Sequence, residues 1–169
     1  RLYSLARGPL AKDLIPEEGI ACFPIPENIG GRFSERSVSG DVTSAFQGID
    51  IFALNEAGAQ VLELYESTDY RKNPALAASV LLYLYDPDFI VIGVADSTQS
   101  AKAQSLAQKF PESWGKDGKG PFVITAVGNE ELADFATCQG KKVFLLIEVE
   151  NSDLAAAVKG RPALLYRKD

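Results

Sequence analysis

The sequence predicts an α/β protein: a three-layer, open and mostly parallel sheet with helices on both faces. Three observations point there. Phe89 to Ala95 is a continuous apolar, mostly β-branched run, the pattern of a parallel strand buried on both faces. From residue 87 onward, strand-like and helix-like stretches alternate, the order that builds a parallel sheet through crossover helices. Helix-start residues, namely Asn73-Pro74, Asp96-Ser97-Thr98 and Asn129, stand where the helices of that order should begin.

In chain order, residues 1–19 read as a short helix around Leu10 to Leu14 bounded by Gly8-Pro9 and Pro16-Glu17-Glu18-Gly19. Ile20 to Phe23 is a short strand ended by Pro24 and Pro26, and it delivers a loop from Glu27 to Ser34. Val42, Ala45 and Phe46, then Ile51, Leu54, Ala57, Val61, Leu64 and Tyr65, recur at helical spacing. They predict two amphipathic helices joined near Gln47-Gly48-Ile49. Asn73 as cap and Pro74 at the first position start a helix over Ala75 to Tyr85, apolar on nearly every side and expected to be buried. Asp86-Pro87-Asp88 ends it.

After the strand Phe89 to Ala95, a helix places Ala103, Leu106, Ala107 and Phe110 on one face. Pro121 to Val127 is the next strand. Asn129 is expected to cap a helix with Glu130 and Glu131 in its first turn, where the helix dipole favours acids. Lys142 to Val149, Asn151 to Val158 and Pro162 to Tyr166 complete the order as strand, short helix and strand.

Composition bounds the function. The 169 residues suffice for one substantial core, and one domain over 1–169 is the expectation. Hydrophobic residues at 46% and charged residues at 24% are ordinary for a soluble globular protein. No apolar run approaches the roughly 20 residues of a membrane-spanning helix. A net charge of −6 disfavours nucleic acid, although a few well-placed Arg and Lys side chains can still hold one phosphate. Cys22 and Cys138 lack metal-ligand spacing and read as buried free thiols in a reducing compartment, so no metal is expected. There is no histidine, which leaves catalysis to carboxylates, Arg, Lys or Tyr. With Arg at position 1 and no Met, the sequence reads as a cleaved chain, an excised domain or the ordered part of something longer, with no signal peptide remaining.

Two stretches could carry chemistry. In Pro26 to Ser34, adjacent Gly30 and Gly31 permit unusual backbone conformations and close approach of a ligand. Arg32 reads either as a fork for an oxyanion or as a surface arginine in a turn. In Pro111 to Gly120, Glu112 follows the apolar helix and precedes Gly115, so its carboxylate either faces the sheet edge as a general base or is solvated. Ser97 and Thr98, beyond the carboxyl end of a strand, suit a phosphate, and equally suit capping the helix.

Leu10 to Leu14 through Glu27-Asn28-Ile29-Gly30-Gly31-Arg32-Phe33-Ser34, then Ala45 to Ile51, Asn73 to Leu76, and Glu112-Ser113-Trp114-Gly115-Lys116-Asp117-Gly118-Lys119-Gly120 resemble consecutive landmarks of phosphoglucose isomerases. The likeness is greatest to the isomerase part of fused transaldolase/isomerase proteins, and it covers roughly residues 10 to 125. Such enzymes have two sugar isomerase (SIS) halves and interconvert glucose 6-phosphate and fructose 6-phosphate without a cofactor, in cytoplasmic glycolysis and gluconeogenesis. The resemblance implies that residues 1–40 correspond to the end of the first SIS half, 41–86 to connecting helices and 87–169 to the second SIS half. It makes Glu112 the base that moves a proton between C1 and C2. Arg32 becomes the cation that steadies the enediolate, and Gly30 and Gly31, with Ser34 beside them, the backbone that meets the sugar.

The departures are specific. Glu35 and Arg36 stand where the family has small and apolar residues that pack a helix. The family's ring-opening histidine, its Ser/Thr-rich phosphate loop and its late lysine have no counterpart. The reading is therefore a sugar-phosphate isomerase stretch completed by the rest of a longer chain or another subunit, as a homodimer or larger assembly. The alternative is a non-catalytic SIS-derived binding or structural module, which the missing histidine, Glu35 and Arg36 favour. A third reading makes Ser97 and Thr98 a sugar-phosphate sensing site.

Overall fold

The computed structural model describes residues 3–6, 21–148 and 153–167. They belong to two compact units, residues 1–67 and 68–169. The expected helix around Leu10 to Leu14 lies outside the described residues.

In the first unit, β1 (Tyr3–Ala6) pairs in parallel with β2 (Ala21–Pro24), Tyr3 opposite Ala21 and Ala6 opposite Pro24. The sequence reading had β2 but not its partner. A 3-10 helix over Gly31–Arg36 leads into α1 (Val38–Phe46) and α2 (Ile51–Tyr65), the two helices expected on either side of Gly48. Asp50 Oδ1 starts α2 by accepting from Phe52 N (3.0 Å) and Ala53 N (3.1 Å), satisfying amides that a helix start otherwise leaves unbonded.

The second unit begins with α3 (Pro74–Tyr85), whose cap is Asn73, Oδ1 accepting from Leu76 N at 2.9 Å. Then follow β3 (Phe89–Val94), a short 3-10 turn (Ser97–Gln99), α4 (Ser100–Trp114), β4 (Phe122–Val127), α5 (Gly128–Thr137), β5 (Lys142–Glu148), the single-turn α6 (Leu154–Ala157) and β6 (Ala163–Arg167). The four strands form one all-parallel sheet in the order β4-β3-β5-β6. Alternation along the strands sends side chains to both faces. Ile90, Ile92, Val94, Val143 and Ile147 pack with Leu82 of α3 and Ala103 of α4. Val91, Phe144 and Leu146 pack with Leu132 of α5, Leu154 of α6 and Val158. This is the three-layer arrangement the β-branched run predicts. A Cβ at Gly93 would lie 2.8 Å from Leu132 Cδ2, so the missing side chain is what lets α5 settle on β3.

Three expectations fail. Helix α3 is not buried all round: Leu82 is inside, but Leu81 is 57% and Tyr83 78% exposed. It meets the sheet along one side, where Leu81, Leu82 and Tyr85 flank a groove of about 260 Å³ with Val143 and Leu164. Asn129 does not cap α5; the helix starts at Gly128, and Glu131 Oε2 reaches back to accept from Val127 N at 2.7 Å. Cys138 is exposed, because it follows the last turn of α5 instead of entering the core.

Among the described residues, no helix is long and apolar enough to cross a membrane.

Candidate functional site

Gly30, Gly31, Arg32 and Ser34 share the start of the 3-10 segment in the first unit. Phe33 N donates to Gly30 O (3.0 Å) and Ser34 Oγ to Gly31 O (2.6 Å), closing consecutive tight turns. The Arg32 guanidinium carbon lies 5.0 Å from the centroid of the Phe33 ring, in cation–π range. The glycines do not serve the backbone as expected. Gly30 sits at φ −67 and ψ 153, extended geometry open to any residue, and Gly31 is helical. A Cβ at Gly31 would meet nothing within 4 Å. A Cβ at Gly30 would make an ordinary contact, 3.7 Å from Phe33 Cδ2, so neither backbone strain nor packing among the described residues requires glycine at either position.

Glu112 lies in the last turn of α4. Phe110 and Trp114 on either side of it turn toward the sheet and pack on its core. A residue two positions from each points the other way, since successive residues turn by about 100°. Glu112 is accordingly exposed, the solvated of its two readings and not the one that faces the sheet edge. Gln108, one turn earlier on the same outward side, donates Nε2 to Glu112 Oε1 at 2.8 Å. That partner was missed from sequence, although the four-residue spacing is a legible signal.

The glycine-lysine stretch after Glu112 is a tight reversal. Gly115 must be glycine, because a Cβ there would stand 2.6 Å from Pro111 O. Asp117 (φ 58) and Gly118 (φ 70) are both left-handed, and Lys119 N donates to Lys116 O at 3.1 Å, which makes a type I′ turn.

Ser97 and Thr98 stand at the other end of α4. Asp96 Oδ1 accepts from Thr98 N at 2.8 Å and also from the Thr98 hydroxyl. These bonds, the hydroxyl's first, hold the Asp96 carboxyl below its ordinary value. The Thr98 hydroxyl is thus engaged as part of the helix start. Along the 15-residue helix the separation from Glu112 is roughly 20 Å at 1.5 Å per residue, so one small ligand does not touch both. They also flank opposite ends of the sheet: Ser97 and Thr98 follow the carboxyl end of β3, while Glu112 precedes the amino end of β4.

Arg36, the charged departure, neither enters a core nor stands alone. Nη2 donates to Asn55 Oδ1 of α2 at 2.5 Å, and Nη1 is 4.0 Å from Asp41 Oδ1 of α1. Among the described residues, no three His, Cys, Asp or Glu side chains gather as a metal site.

No family model matches the sequence. Curated relatives do. The chain is similar to the glucose-6-phosphate isomerase of Symbiobacterium thermophilum, 37% identical over 138 residues, covering 78% of this chain and 31% of the relative. The corresponding enzyme of Bacillus cytotoxicus is 30% identical over 91% of this chain and 39% of its own length. A probable glucose-6-phosphate isomerase of Methanococcus maripaludis is 28% identical over 99% and 37%. The chain spans about a third of the length of the curated relatives it matches.

Proposed function

We propose that this chain is a stretch of a glucose-6-phosphate isomerase family protein, about a third as long as the relatives it resembles, and that it takes part in interconverting an aldose 6-phosphate and a ketose 6-phosphate. The observation that carries the reading is the similarity itself, which runs over most of the chain to several proteins of that one name.

The chemistry assigned to the residues is a proton shuttle. Glu112 removes the proton from the hydroxyl-bearing carbon beside the carbonyl, the electron pair moves onto the carbonyl oxygen to give an enediolate, the hydroxyl proton passes to that oxygen, and Glu112 returns its proton to the former carbonyl carbon as the new carbonyl forms beside it. A carboxylate suits this step once water is excluded from it. Arg32 supplies fixed positive charge where the oxygen becomes negative, and a cation already in place lowers the barrier without reorganising at the moment of reaction. Gly30 and Gly31 leave room for the sugar against the main chain, with Ser34 beside them. Ring opening is assigned to polypeptide outside this stretch because the chain has no histidine, and phosphate anchoring because the family's Ser/Thr-rich loop has no counterpart here. In the completed protein, substrate and that polypeptide shield Glu112 from water.

A coupled assay with fructose 6-phosphate, run on the protein beside Glu112→Gln, decides the matter. Turnover abolished by the substitution is the expected result. A flat trace from folded protein supplied with the missing polypeptide overturns the enzyme reading and leaves a binding module.

A further inference from the structure

The 3-10 segment Gly31–Arg36 runs for six residues, longer than the three or four such helices usually sustain with their poorer hydrogen-bond geometry. Something outside the segment must hold it. Its middle is held locally: Ser34 O accepts from Ser37 N (3.0 Å), Ser37 Oγ (2.7 Å) and Ser39 Oγ (3.3 Å). Its exit is pressed onto α1 at Gly40, where a Cβ would be 2.0 Å from Glu35 O. Its last residue, Arg36, is the one that reaches α2, through Asn55 Oδ1 at 2.5 Å.

Asn55 in turn donates Nδ2 to Asp41 Oδ2 at 3.4 Å. The other oxygen, Asp41 Oδ1, is buried with no hydrogen-bond partner among the described residues and has the Arg36 guanidinium 4.0 Å away. A buried carboxylate oxygen left unbonded is costly, so the charge of Arg36 is what makes its burial tolerable. The three side chains close a ring that joins the 3-10 segment, α1 and α2.

We propose that Arg36 is a positioning residue: through Asn55 and Asp41 it holds the 3-10 segment, and so sets how Arg32, four residues earlier in that segment, is presented to its ligand. The catalytic consequence rests on the role proposed for Arg32 above; the effect on the segment does not.

The test uses Arg36→Leu, Arg36→Lys, Asn55→Leu and the double variant Arg36→Leu/Asn55→Leu, with two readouts. Amide hydrogen exchange at Phe33 and Ser37, whose amides bond to Gly30 O and Ser34 O and so close the two ends of the segment, is expected to quicken about tenfold in Arg36→Leu while β3 amides keep their rates. With fructose 6-phosphate, kcat is expected to fall about tenfold with KM within twofold. Arg36→Lys restores part of both, Asn55→Leu reproduces both, and the double variant is no worse than either single one. Unchanged exchange at Phe33 and Ser37 overturns the proposal whatever turnover does. Faster exchange throughout β3 also overturns it, since Arg36 would then be a general stabiliser. A segment that loosens as expected in a protein that shows no turnover even when supplied with the missing polypeptide sinks the isomerase reading and leaves the positioning of the segment standing.

Discussion

Gln108 Nε2 donates to Glu112 Oε1 across 2.8 Å, one helical turn apart on the outward side of α4. The bond restrains the rotamer of an exposed carboxylate. On the isomerase role proposed for Glu112, Gln108→Leu is expected to lower kcat for fructose 6-phosphate about fivefold, the equivalent of about 1 kcal/mol, with KM unchanged. The denaturation midpoint should hardly move, because an exposed pair four residues apart on a helix contributes only about 0.5 kcal/mol. Steady-state kinetics beside urea titration checks both halves, and a wild-type kcat would show that Glu112 needs no such support.

The Asp96 carboxyl titrates low because the Thr98 hydroxyl and then the Thr98 amide donate to it. A carboxyl depressed in the folded state stabilises above its unfolded value, and that contribution is lost as pH falls through the folded one. Thr98→Val removes the largest cause. The variant should have a lower urea midpoint than the wild type at pH 6, and the two should converge as pH falls below 3.8. A gap that persists in acid would assign the loss to packing.

Gly93→Ala places a Cβ 2.8 Å and 2.9 Å from the two Leu132 methyls and 3.0 Å from Leu146 Cδ2. These are side-chain ends that can shift, so the expected cost is about 1 to 3 kcal/mol, read as a lower denaturant midpoint with unchanged slope. Gly93→Val should cost more, because a branched side chain cannot be absorbed by rotamer changes alone.

Lys142 is buried at the start of β5, and its ammonium donates to the Cys138, Gln139 (2.8 Å) and Gly140 (3.1 Å) carbonyls. Lys142→Met keeps most of the apolar stem and strands those oxygens. A loss of about 2 to 3 kcal/mol is expected, together with faster amide exchange around residues 138–141. Chemical denaturation followed by exchange mapping tests it, and an unaltered midpoint would mean that water replaces the ammonium without cost.

Much of the fold is legible because its signals are local. Asn73-Pro74 begins a helix whatever surrounds it, since an Asn side chain bonds the free amides and proline's fixed φ suits the first position. Phe89 to Val94 could be read as a doubly buried strand because no polar side chain interrupts it. At α5 the same logic misled: Asn129 is a good cap by type, but Glu131 reached back to Val127 first and the helix began two residues earlier. For α3, an all-round apolar composition suggested burial on every side, yet its contact with the sheet accommodates only the side carrying Leu82.

The candidate site divides in the same way. Residue type leaves Arg32 and Glu112 with two readings each, and the resemblance of their segments to a known family is what picks them out; alternating strands and helices predict a parallel sheet. The tertiary structure decides that the strands lie in the order β4-β3-β5-β6, that Glu112 points outward with Gln108, that Ser97 and Thr98 are a helix length away, and that Arg36 ties three elements together. The physical reason is range: caps, turns and β-branched runs are settled by sterics and hydrogen bonds among neighbours, whereas a side chain's direction and companions depend on which distant segments compete for the same surface.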